Sequence, residues 1–141
     1  MNREILFRAK TKATKEWAYG HFAKQYDVPQ IYTGNGHECI YEDTLCQYTG
    51  LTDRNGNKIF DGDVLRFGDK NYLVFWNDEC FQWQIRIRKD GFSFPIYSGQ
   101  DTGYPVECIT LSWVAAEIPI IGTMSTEIVG NVYDNPELIE E

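Results

Sequence analysis

The sequence predicts an all-β protein built from short antiparallel strands, and three observations predict it. The chain of 141 residues carries 4 Trp, 9 Tyr and 8 Phe, and aromatic side chains suit the pleated, half-buried surface of a sheet. Phe81, Trp83, Ile85 and Ile87 alternate with Gln82, Gln84, Arg86 and Arg88, the strict period of two that gives a strand one buried and one wet face. Turn-forming clusters also recur every few residues from Thr52 onward, and no long amphipathic helix competes with them. The architecture expected is a single small domain over residues 1–141, an SH3-like barrel or a sandwich.

Taken in order, Ile5 to Lys10 reads as a first strand. The polar run Thr11-Lys12-Ala13-Thr14-Lys15 turns it into a second around Trp17 and Phe22, so the two form a hairpin. Asp27 to Glu38 holds Pro29, Gly34, Asn35 and Gly36 and reads as a loop with a short strand near Ile31. Thr52-Asp53-Arg54-Asn55-Gly56-Asn57 supplies an Asp to cap a turn and an Asn-Gly pair that tolerates positive φ. A second reversal follows at Asp61-Gly62-Asp63. Strands then come quickly: Val64 to Phe67, Tyr72 to Trp76, Phe81 to Arg88 and Phe92 to Tyr97. Ser98 to Pro105 reads as a Gly-rich loop, and over 107–117 the apolar spacing fits a short helix as well as a strand. Glu127 to Tyr133 reads as a last strand, stopped at Asn135-Pro136.

This length buries enough apolar surface for a core without metal or disulfide staples. The formal charge of −8 repels phosphates on average and disfavours a non-specific polyanion binder. Cys39, Cys46, Cys80 and Cys108 form no C-x-x-C pair, and Met1 to Arg8 has no apolar segment of the signal-peptide kind. No run approaches the ~20 apolar residues that span a bilayer. The expectation is a cytoplasmic protein with reduced thiols.

Constellations that could carry chemistry are few. Asp53-x-Asn55-x-Asn57 opens like a calcium loop, but the sixth position is Lys58 and the twelfth Val64, where Gly and a bidentate Glu belong. His37, Cys39, Cys46 and His21 are metal-ligand types without a second ligand pair in register. Asp61 with Asp63, and Asp78 with Glu79, are adjacent acids in turns. There is no nucleophile motif and no phosphate loop running from a strand into a helix. Neither catalysis, a metal nor a cofactor is expected. Arg66, Lys70, Arg86, Arg88 and Lys89 form the one basic set on neighbouring strands, and a small barrel can bind single-stranded nucleic acid through such a groove. Lys and Arg on strand faces also serve merely to block edge-to-edge pairing.

Three blocks of the chain resemble the YopX family, small proteins carried by bacteriophages and prophages. The first is Asn2-Arg3-Glu4-Ile5-Leu6-Phe7-Arg8-Ala9-Lys10 with Trp17 and Gly20. The second is Gln47-Tyr48-Thr49-Gly50-Leu51 with Asp53, Asn55-Gly56, Ile59 and Asp61-Gly62-Asp63-Val64. The third runs from Ile128 to Leu138. The resemblance implies a mostly β fold, a phage or prophage origin, an intracellular site of action and self-association, and it brings no catalytic residues. Tyr19, Tyr48, Tyr72, Tyr97, Tyr104 and Tyr133 add many amphipathic aromatics, the preferred anchors of protein interfaces. The function expected is therefore a non-catalytic protein-interaction or oligomeric module. Single-stranded nucleic-acid binding through the basic set is second, and an acidic competitor of nucleic acid for a host defence protein is third.

Overall fold

A computed structural model of the chain describes residues 4–86, 93–96 and 126–139. Among them are eleven strands: β1 (Phe7–Lys10), β2 (Trp17–Gln25), β3 (Val28–Thr33), β4 (Gly36–Cys39), β5 (Cys46–Thr52), β6 (Lys58–Phe60), β7 (Asp63–Phe67), β8 (Lys70–Asn77), β9 (Gln82–Arg86), β10 (Ser93–Pro95) and β11 (Glu127–Asn131). One sheet has the order β4-β3-β2-β1-β5-β6 and the other β10-β9-β8-β7-β11. Over the described residues the protein is all-β and antiparallel, and among them no barrel closes. The residues at 98–105 and 107–117 lie outside those described. The chain divides into two compact units, Met1–Gly50 and Leu51–Glu141.

In the first unit β2 changes partner halfway along. Trp17 to Gly20 pair with β1, whereas His21 to Gln25 pair with β3. Gly20 sits at the change. A Cβ there would lie 2.0 Å from the Tyr32 carbonyl oxygen, so only a residue without one lets the strands approach and bend. Ala9, Ile31 and Ile40 are fully buried on the inner face, with Ala18, Phe22 and Leu45 against them. The end of β4 returns to the end of β1: Lys12 N donates to Cys39 O, Tyr41 N to Lys10 O, and Thr11 bridges Ile40.

The short strand read near Ile31 is β3, but the loop read around it over Asp27 to Glu38 is corrected, because the segment is largely the hairpin β3–β4. Two turns make it so. Gln25 pairs with Val28 across a two-residue loop in which Tyr26 and Asp27 have φ of 52° and 64°, the double left-handed pattern of a type I′ turn that Asn-Gly normally supplies. At the other end Thr33 Oγ1 accepts from Asn35 N and donates to Gly36 O. Pro29 fits within β3 by contributing only its carbonyl, which accepts from Ile40 N.

In the second unit the β7–β8–β9 meander is buried on both sides. Leu65, Tyr72, Val74 and Ile85 face one way, and join Ile59 with Leu51, Phe67, Trp83 and Ile128 against them. Val64 and Leu73 face the other way, under Ile139, Val132 and Leu138. Each fully buried aliphatic side chain stabilises by about 1.5–3 kcal/mol. Gly68 opens the two-residue β7–β8 loop at φ 64°, the first-position glycine of a type II′ turn.

The alternation read from Phe81 to Arg88 holds from Gln82 to Arg86, and two of its details need correcting. Phe81 is not an inward strand residue: it has φ 53° in the β8–β9 turn and is 78% exposed. Gln84 is not wet, being buried at 5% exposure. Its amide is engaged beside Phe75, its partner on β8, accepting from Asn77 Nδ2 and Ser93 Oγ and donating to Gln82 Oε1, so burial leaves no orphaned group.

Candidate functional site

The calcium-like turn is the first candidate. Asp53 N donates to Asn57 O, and Gly56, at φ 81°, donates to Asp53 O. The Asp53 side chain is almost fully buried and its carboxylate is spent on backbone amides. Oδ1 accepts from Asn55 N and Asn57 N, each at 2.9 Å, and Oδ2 accepts from Ile128 N at 3.1 Å. Burial pushes its pKa up, but the amides of Ile128, Asn57 and Asn55 and the Asn57 side chain outweigh it and hold the carboxyl below the ordinary carboxylate value. Next to it Arg54 N donates to Thr126 O, and the Arg54 guanidinium pairs with Glu127. The turn thus caps the outer edge of β11, satisfying groups that an edge strand would leave open to pairing with another chain. The lone pairs that a cation would need already hold the fold together.

The other acidic and ligand-type residues are dispersed. Asp63 is buried and accepts from Phe60 N at 2.7 Å. Asp78 and Glu79 are exposed in the β8–β9 turn. His37 rests against Tyr32 with ring centroids 5.2 Å apart. Cys39 and Cys80 are exposed, and buried Cys46 points its thiol at Thr44 O. Among the described residues no three of His, Cys, Asp and Glu are placed to hold a metal ion, and no helix is long and apolar enough to cross a membrane.

The basic set is brought together only in part. Arg66 on β7 and Arg86 on β9 share a face, since Val64 pairs with Leu73 and Leu73 with Arg86. Leu73 stands between them in the cluster covered by Ile139, so an apolar island divides the face. Arg66 Nε donates to Asn71 Oδ1, which is tied in turn to Leu138 O through Nδ2. Arg86 is half-buried with its guanidinium 4.5 Å from the Phe75 ring centroid. Lys70 is exposed at the start of β8. Arg88 and Lys89 lie outside the described residues. Trp83 faces the opposite way, edge-on to Trp76 at 5.2 Å.

Two further features lie outside the sequence expectations. Arg8, Lys10 and Lys12 repeat at every second position, which puts them on one face of β1 and its extension. The hairpin tips at Tyr26 and Phe81 each present an aromatic ring, 92% and 78% exposed, on a left-handed backbone. The first was legible from its period. The second was not, because neither Tyr26 nor Phe81 is a residue type that advertises positive φ.

The family model described as YopX protein matches residues 6–140. The chain belongs to the YopX family. No curated protein matches it. The YopX match takes in β1, Gly20, the Asp53 turn and β11, where the resemblance was carried. These residues are the ones the structure uses for strand bending, edge capping and turn formation.

Proposed function

We propose that this YopX protein is a non-catalytic interaction module, a phage or prophage accessory that acts in the bacterial cytoplasm by assembling with itself or with a host or phage protein. The observation that carries the reading is the pair of hairpin tips. A bulky residue in the left-handed region costs about 1–2 kcal/mol, and Tyr26 and Phe81 incur that cost with rings left in water. Strained, exposed aromatics contribute little to the fold that carries them, and strain of this kind clusters at functional sites. Tyr and Trp anchors dominate protein interfaces, and half-exposed Trp76 lies in the strand leading into the Phe81 turn.

The test separates folding from association. Tyr26→Asn should raise the unfolding free energy in urea by on the order of 0.5–1 kcal/mol, since Asn suits the turn. In light scattering, Tyr26→Asn combined with Phe81→Ser should nevertheless weaken the defined assembly or stoichiometric complex formed by the unaltered protein. A lone monomer without a partner, or an assembly indifferent to both substitutions, would overturn the reading.

The divided face between Arg66 and Arg86 gives the nucleic-acid alternative at that site less support. The acidic-competitor reading draws only on charge: residues 51–141 hold fifteen acidic and seven basic side chains, and thus the whole net −8, whereas residues 1–50 hold six of each.

A further inference from the structure

We infer that the outer face of β1–β4 in the first unit binds single-stranded nucleic acid, with phosphates at Lys10 and Lys12 and a base against Tyr19. The face follows from register. Arg8 pairs with Tyr19 and Lys10 with Trp17, so all four side chains lie on the side of the sheet away from Ala9, Ile31 and Ile40. The same face continues through His21, Tyr32 and His37, which are opposed in turn across β2, β3 and β4. Both histidines of the protein are on it, and none of the strand residues of β1 to β4 on this side is acidic. The acidic strand residue among these four, Glu38, is opposite Ile31 and so belongs to the other side. The overall charge of −8 therefore says little about this surface, because the unit that carries it is neutral.

The arrangement interleaves cations with rings. The Arg8 guanidinium lies 4.5 Å and the Lys10 ammonium 5.4 Å from the Trp17 ring centroid, and Lys12 lies 5.9 Å from that of Tyr41. Arg8 is almost buried, so it packs and orients Trp17. Exposed Lys12 and half-exposed Tyr19 are the parts in reach of a ligand, with Lys10 between them. A cationic track beside aromatic platforms on an open sheet is what a single strand requires: its phosphates need cations, and every base has a face to stack. A duplex, whose bases are already stacked, would use only the cations.

A labelled single-stranded deoxythymidine oligonucleotide, followed by fluorescence anisotropy at low salt, tests this. Saturable binding is expected, weakening as salt rises. Lys10→Glu with Lys12→Glu should weaken it roughly ten-fold or more and flatten the log–log salt slope by about 0.7 for each phosphate that is no longer neutralised. Tyr19→Ser, a surface change that leaves the core alone, should weaken it roughly five-fold at an unchanged salt slope. Arg66→Glu should leave it unchanged, which distinguishes this face from the second unit. No binding at low salt, indifference to the lysine substitutions, or equal affinity for an abasic strand would overturn the inference. So would these substitutions altering a protein complex in light scattering while no oligonucleotide binds, since the face would then serve a protein.

Discussion

Gly20→Ala should be the most destabilising single-methyl addition in the first unit, with a loss on the order of 3 kcal/mol or more in urea denaturation. The added Cβ would sit 2.0 Å from Tyr32 O and 2.8 Å from Tyr32 C. Those are backbone atoms, so no rotamer change relieves the overlap. To make room, β2 and β3 must separate where His21 pairs with Tyr32, or β2 must straighten and give up its pairing with β1. Either movement opens hydrogen bonds next to Ala9 and Ile31, which are fully buried. A domain has only about 5–15 kcal/mol in hand, so partial unfolding of the variant at physiological temperature is the expected outcome. Gly34→Ala is the internal control: nothing lies within 4 Å of its Cβ and its φ is not left-handed, and its midpoint should barely move.

Asp53→Ala should cost a comparable amount, about 3 kcal/mol. Hydrogen bonds to a charged group contribute roughly 1.5–3 kcal/mol each but do not add, and their loss strands the amides of Asn55, Asn57 and Ile128. Asp53→Asn should recover little, because its amide group presents donors where the site offers donors. The same carboxylate gives an acid limit. Its folded pKa lies below the ordinary value of 3.8, so its stabilisation is complete above the unfolded pKa. It is lost as pH falls through the lowered folded value. The unaltered protein should therefore lose stability below about pH 4 more steeply than Asp53→Asn, which has no proton to take up at that position.

Much of this was legible from residue types and their spacing. The period of two across Gln82 to Arg86 located β9 and its faces, and Asn55-Gly56 located the turn that Asp53 organises. Other parts were hidden for identifiable reasons. Tyr26 is a residue type that the first position of its turn disfavours, so Asp27 alone marks the β2–β3 reversal. β4 is exposed along its whole length and shows no apolar alternation to mark it. Phe81 continued the periodic pattern in sequence while its left-handed backbone turned it out into water. Parity places Gln84 in solvent, although partners from β8 and β10 let it be buried. For the candidate sites, the failed calcium pattern already pointed to a structural turn, but not to the hydrogen bond between Asp53 and Ile128, 75 residues away. The basic track of β1 was readable by the same parity that drew attention to Arg86 and Arg88. Its significance depends on Trp17 and Tyr19 being in register beside it, which pairing alone reveals.

The Asp53 turn is architecture, with its carboxylate committed to its own backbone. Amide hydrogen exchange at Asn55, Asn57 and Ile128, corrected for intrinsic rates and followed from neutral pH downward, measures this most directly. All three amides should be protected at neutral pH, with or without added calcium, and should lose protection together below about pH 4. Rapid exchange at neutral pH, or protection that appears only when calcium is added, would contradict it.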